Sequence, residues 1–155
     1  KISSIDKINI NDVRNILYIN LEIPTLISSI VSKNMIKKKN GKIINISSIF
    51  GLVSKEKRSS YSSSKFGILG LTKSSALDLA SYNILVNSIS PGFIDTKLTR
   101  KILKLSGMKK MSKVVPIKRL GKVKEIAYLS MFLASSYNTY ITGQNIVIDG
   151  GFTSK

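Results

Sequence analysis

Three short runs of branched aliphatic residues, each closed by a turn signal and separated by stretches long enough for helices, constrain the fold of this chain most. They are Gly41-Lys-Ile-Ile-Asn-Ile-Ser47-Ser48, Ile84-Leu-Val-Asn-Ser-Ile-Ser-Pro91-Gly92, and Asn145-Ile-Val-Ile-Asp149 followed by Gly150-Gly151. Short aliphatic runs bounded by turn residues predict buried strands. Strands that alternate with helices of ten or more residues need parallel crossover connections, so the expected fold is α/β. In open sheets of this kind ligands bind beyond the carboxyl ends of the strands. Ser48 and Pro91-Gly92 stand just past two such ends.

The stretches between the strands read as helices of different quality. Asn11-Asp12 are expected to cap a helix with Val13, Leu17, Ile27, Ile30 and Val31 on its apolar side. Lys37-Lys38-Lys39 suit its carboxyl end, and Asn40-Gly41 the stop. Pro24 lies inside it and has no N–H, so the carbonyl of Asn20 loses its usual donor. That is either a simple kink or a carbonyl freed to hold a water. A second helix is expected from about Ser60 to Tyr82. Its Ser62, Ser63, Ser64, Gly67 and Gly70 are small enough for a close helix neighbour, and Asn83 can adopt a left-handed stop. Lys55-Glu56-Lys57-Arg58 reads as a solvated face near the mouth of a site. Residues 95–116 read as a basic, irregular lid. Gly121 and Glu125 precede a last helix reaching about Ala134. Asn45-Ile-Ser47 matches a glycosylation sequon but falls in a predicted buried strand.

The chemistry concentrates at Tyr61-Ser-Ser-Ser-Lys65. Residues i and i+4 share a helix face, so the lysine ammonium is expected beside the phenol. A nearby cation favours a phenolate, which makes such a ring oxygen a usable proton donor and acceptor. Ser48, thirteen residues before the tyrosine, offers a hydroxyl at the sheet's rim. The chain has no histidine and no cysteine. That excludes Ser-His and Cys-His catalysis, disulfides, and imidazole or thiolate metal sites.

These motifs, taken together, resemble a known family. In order they are Asn20-Leu21, Gly41 to Ser48, Tyr61 to Lys65, Val86-Asn87, and Pro91-Gly92-Phe93-Ile94-Asp95-Thr96. Arg119-Leu-Gly121, Glu125-Ile-Ala127 and Thr142-Gly143-Gln144 to Gly151 complete the series. The chain is similar, over roughly positions 10 to 152, to the carboxyl-terminal half or more of a short-chain dehydrogenase/reductase. Within that family it looks most like the 3-oxoacyl-[acyl-carrier-protein] reductases.

The resemblance implies a Rossmann-like, doubly wound parallel sheet, here only its second half. It implies reversible hydride transfer between a nicotinamide and a carbonyl, as in fatty acid biosynthesis. Tyr61 would donate the proton, Lys65 would hold the nicotinamide ribose and tune the phenol, and Ser48 would bind the substrate oxygen. Asn20 would anchor a relay water. Pro91, Gly92, Ile94 and Thr96 would line the cofactor, with NADP(H) expected ahead of NAD(H). Acyl carrier protein or a small carbonyl compound would be the partner, Lys37 to Lys39 lying near the carrier-docking surface, and a homotetramer the assembly. No Gly-rich Gly-x-x-x-Gly-x-Gly turn occurs in the sequence, so residues 1–155 are expected to be one partial domain.

With 25 Lys+Arg against 8 Asp+Glu the net charge is +17. Such a balance suits an acidic partner, but lysine, isoleucine, asparagine and serine dominate throughout and the basic residues are scattered. Aromatics do not interleave with them, so neither nucleic acid nor membrane is the expected partner. A decayed, inactive relative or a basic nucleic-acid-binding protein is the rival from another class. No apolar run approaches 18 residues, and a cytoplasmic protein is expected, or an organellar one if a targeting segment lies upstream.

Overall fold

The computed structural model describes residues 3–154. In chain order the elements are α1 (Ile10–Leu17), a π-helical turn (Tyr18–Glu22), α2 (Ile23–Lys38), β1 (Gly41–Ile46), α3 (Ser59–Leu79), β2 (Ile84–Pro91) and β3 (Ile94–Asp95). They continue with α4 (Lys97–Val114), β4 (Gly121–Lys122), α5 (Val123–Ala134) and β5 (Asn145–Ile148).

Ile84 to Ser90 are all buried, as a strand covered on both faces must be. β2 accordingly runs between β1 and β5, parallel to both, from Gly41↔Ile84 to Ile46↔Ile89 and from Ser88↔Asn145 to Pro91↔Ile148. Ile43, Ile84 and Val86 pack with Ala76 and Leu79 of α3, backed by Val31, Met35 and Ile36 of α2. Helix α5 contacts β1 and β2. The polar residues of β2 are satisfied where they are buried. Ser88 and Ser90 both donate to Asn145 Oδ1, at 3.0 and 2.7 Å, and Asn87 donates to the Ile141 carbonyl at 2.7 Å. The expected α/β fold with a parallel sheet is therefore found, with all three predicted strands in place.

Four local expectations are corrected. The cap of α1 is Asn9, whose Oδ1 accepts from the amides of Asn11 and Asp12, not Asn11-Asp12 themselves. The long kinked helix is two helices joined by a π turn, in which the amide of Ile23 reaches back to the Tyr18 carbonyl. Pro24 falls in the first turn of α2, where the helical backbone continues from the π turn without a break, so its missing N–H leaves the Asn20 carbonyl without an i+4 donor. The left-handed stop after α2 is Lys39 (φ 47°, ψ 39°) rather than Asn40-Gly41. Residues 97–114 are helical, not irregular: Thr96 Oγ1 accepts from the Thr99 amide and starts α4, which breaks at Lys104 (φ 53°, ψ −179°). Asn83 does take the expected left-handed conformation (φ 57°). The sequon residue Asn45 is buried and donates to Thr72 Oγ1 at 2.9 Å.

β1 is an edge strand. Ile19, Ile27, Ile43, Ile44 and Ile46 border a groove of about 320 Å³ along its open side, and Ile27, expected on a buried face, is 54% exposed. By length and composition the stretch Ile10–Lys38 could cross a membrane. Here it lies against α3 and β1, tied to α3 through Asn20 and Ser64.

Candidate active site

The site forms where the carboxyl end of β1 meets the first turns of α3. The close approach depends on Gly51, where a Cβ would come within 2.7 Å of Ser47 Oγ and 2.9 Å of the Lys65 carbonyl oxygen. Ser47 Oγ donates to that same carbonyl at 2.9 Å, fastening the loop to the helix. Tyr61 and Lys65 share one face of α3, with the Lys65 ammonium 5.7 Å from the centroid of the Tyr61 ring. That is within cation–π range. Lys65 Nζ also donates to the Ile46 carbonyl at 3.0 Å. Burial lowers the Lys65 pKa from its ordinary value, since desolvation disfavours an ammonium.

Ser48 is buried, and its Oγ accepts from the Phe50 amide at 3.2 Å, which leaves the hydroxyl proton for another acceptor. The Phe50 ring stands edge-on to Tyr61, with centroids 6.3 Å apart and planes at 79°. One residue thus links the serine to the tyrosine. Asn20 reaches the same cluster: its Nδ2 donates to Ser64 Oγ at 3.2 Å, and Ser64 Oγ donates to the Tyr61 carbonyl at 2.7 Å. The Asn20 carbonyl lies in the π turn and has no i+4 amide from Pro24.

Pro91-Gly92 ends β2, and a Cβ on Gly92 would meet Asp149 Cβ at 2.7 Å, so only glycine lets the two strand ends approach this closely. The Gly121 amide donates to the Phe93 carbonyl at 2.9 Å within the β3–β4 pair. By alternation the N–H and C=O of Ile94 face away from β4, the arrangement an incoming carboxamide needs. Thr96 is engaged as the cap of α4. A cation for ribose hydroxyls, a close-packed turn and an outward amide pair fit the nicotinamide end of a dinucleotide. They do not supply a pyrophosphate cradle.

Reading the sequence alone missed Phe50, Ser47 and Ser64. Ser64 counted only as a small residue, whereas it is fully buried and bonded. A serine one residue ahead of Lys65, facing an asparagine on the preceding helix, was its only signal.

A family model described as Enoyl-(Acyl carrier protein) reductase matches residues 2–153. A Thermotoga maritima protein named 3-oxoacyl-[acyl-carrier-protein] reductase FabG is 40% identical over 136 residues, which is 88% of this chain and 55% of that protein. A gluconate 5-dehydrogenase from Burkholderia cenocepacia, solved with NADP and tartrate, superposes with a TM-score of 0.94 at 29% identity, covering 100% of this chain and 61% of that one. A 4-hydroxyisoleucine dehydrogenase complexed with NADH gives 0.94 at 33% identity, covering 100% and 65%. The chain thus spans little more than half the length of the curated relative.

Proposed function

The chain belongs to the short-chain dehydrogenase/reductase family, and from that premise we propose that it is the catalytic half of a nicotinamide-dependent carbonyl reductase acting on 3-oxoacyl thioesters. The observation that carries the reading is the Tyr61–Lys65 pair on one helix face, with Ser48 joined to it through Phe50. The chemistry a bound nicotinamide supplies is hydride transfer to the carbonyl carbon.

This chain's residues do the rest. Tyr61 gives a proton to the substrate oxygen as charge develops there. Ser48 donates its free hydroxyl proton to the same oxygen. Lys65 holds the ribose hydroxyls, and Asn20 anchors the water that returns a proton to the site. The backbone of Ile94 and the Pro91-Gly92 turn hold the carboxamide end, and Thr96 sets the start of the helix over it.

Similarity to the Thermotoga protein supports acyl carrier protein as the partner, and the +17 charge suits an acidic carrier. NADP(H), a homotetramer and a cytoplasmic setting belong to the same reading. The open edge of β1 supports one partial domain, its neighbouring strand coming from the cofactor-binding half. The gluconate and hydroxyisoleucine dehydrogenases support a second reading, a dehydrogenase that oxidises the hydroxyl of small hydroxy acids.

The test is nicotinamide absorbance with an acetoacetyl thioester, using the complete protein. Tyr61→Phe is expected to lower kcat by ~10²–10⁴ with the circular dichroism spectrum unchanged. A loss of only a fewfold removes Tyr61 as the proton donor.

A further inference from the structure

The run Lys55-Glu56-Lys57-Arg58 reads in the sequence as a solvated face, and the mechanism above gives it no task. Part of it lies elsewhere. Arg58 is the N-cap residue of α3, three positions before Tyr61, and makes no side-chain cap. Its Nε is buried without a hydrogen-bond partner. Lys57 is held in a left-handed conformation, φ 63°, which is unfavourable for a lysine unless its surroundings impose it. Both residues line a cavity of about 300 Å³ together with Tyr61, Ser60, Ile16 of α1 and Ile102 of α4. Taken as a cube, that volume is roughly 7 Å on a side, so its contents lie within little more than one helical turn of the tyrosine.

No carboxylate lines this cavity, and neither Lys57 nor Arg58 forms an ion pair among the described residues. The uncapped first turn of α3 adds backbone N–H groups and the positive end of a 21-residue helix. Lys57 and Arg58 both line the cavity, so an anion that enters it meets two cations without a carboxylate partner among the described residues. Ile16 and Ile102 leave an apolar wall for a short carbon chain between the charge and the phenol.

We propose that Lys57, Arg58 and the first turn of α3 form an anion subsite contiguous with Tyr61, which takes the carboxylate of a short oxo acid substrate. It rests on the reading of Tyr61 as the proton donor of a reductase. The phosphate of a thioester's pantetheine arm lies more than a dozen bonds from the 3-oxo carbon, too far to share a cavity roughly 7 Å on a side with the reacting carbonyl.

Three probes test this in the complete, cofactor-loaded protein: acetoacetate, acetoacetyl-4′-phosphopantetheine, and the uncharged acetoacetyl-N-acetylcysteamine. Arg58→Gln is expected to lower the ratio of kcat/KM for acetoacetate to that for the uncharged probe by about tenfold or more, chiefly through KM. A loss confined to the phosphopantetheine probe overturns the carboxylate subsite. A ratio that stays constant, whether both rates fall or neither does, overturns the subsite. Lys57→Gln, at an exposed position, is read in the same way and decides the matter if Arg58→Gln does not fold. Should the wild type reduce none of the three, the reductase reading fails by itself. Calorimetry with inorganic phosphate and acetate then judges the subsite: weaker binding by Arg58→Gln supports it, and equal binding overturns it.

Discussion

Ser64 is a small side chain on which two other residues of the cluster converge. It accepts from Asn20 and donates to the Tyr61 carbonyl while fully buried. Removing its hydroxyl strands the Asn20 amide in a half-buried position, and an unsatisfied donor costs about 1–3 kcal/mol. Ser64→Ala is therefore expected to lower unfolding stability by that amount in urea titration. Asn20→Ala combined with it should cost clearly less than the sum of the two single changes, because both remove one shared bond. Additive losses would show that the two residues act apart. At this scale the sequence displayed the candidate reactive groups but not their supports. Tyr61, Lys65 and Ser48 announce themselves by chemistry and spacing. Phe50, Ser47 and Ser64 carry no unusual chemistry, and their work comes from tertiary contacts, for Ser47 through the approach permitted by Gly51.

The elements differ in how far local chemistry determines them. β1, β2 and β5 were legible because branched aliphatic runs between turn residues have few other solutions, and Asn83 because its side chain tolerates the left-handed region. α4 was not, although Lys, Leu and Met are good helix formers and Thr96 supplies a start. Its density of cations and Gly107 suggested an irregular lid instead. β3 and β4, two residues each, exist only by pairing with one another. What stabilises that pair is visible next to it. Glu125 receives a two-pronged contact from Arg119, at 2.6 and 2.9 Å, and the Lys122 amide at 2.6 Å, which also fixes the start of α5. The Arg119 guanidinium first, and the Lys122 amide second, hold the Glu125 carboxyl down at about 2, against an ordinary value of 4.5. A carboxyl more acidic in the folded than in the unfolded chain contributes fully above the unfolded value and loses that contribution as pH falls through the folded one. Glu125→Gln is accordingly expected to lower Tm at pH 7, with the gap to wild type closing between pH 4.5 and 2. A gap of constant size over that range would assign the loss to packing rather than charge.

The whole molecule sets a large positive charge against an open edge. Ser47 donates its amide to Ile89 in β2, so by alternation Ile44 and Ile46 direct their backbone groups away from β2. Ile46 has its carbonyl occupied by Lys65. Ile44 faces the groove with apolar neighbours, which makes it the natural contact for an added strand. The net charge of +17 opposes any contact between two copies. That repulsion reaches about 10 Å at 0.1 M salt and about 3 Å at 1 M, whereas strand pairing is short-ranged and apolar. Residues 1–155 alone should therefore associate more as salt rises, as followed by sedimentation velocity. Ile44→Lys should suppress that association, because an edge lysine must be dehydrated on pairing. In the complete protein the same substitution should instead lower Tm, since the edge would already be covered by its partner strand. Association that weakens with salt, or that ignores Ile44→Lys, would mean the copies meet through charge or through another face. An unchanged Tm in the complete protein would mean that no strand lies against β1 there, and the reading of these residues as half of a larger sheet would fall.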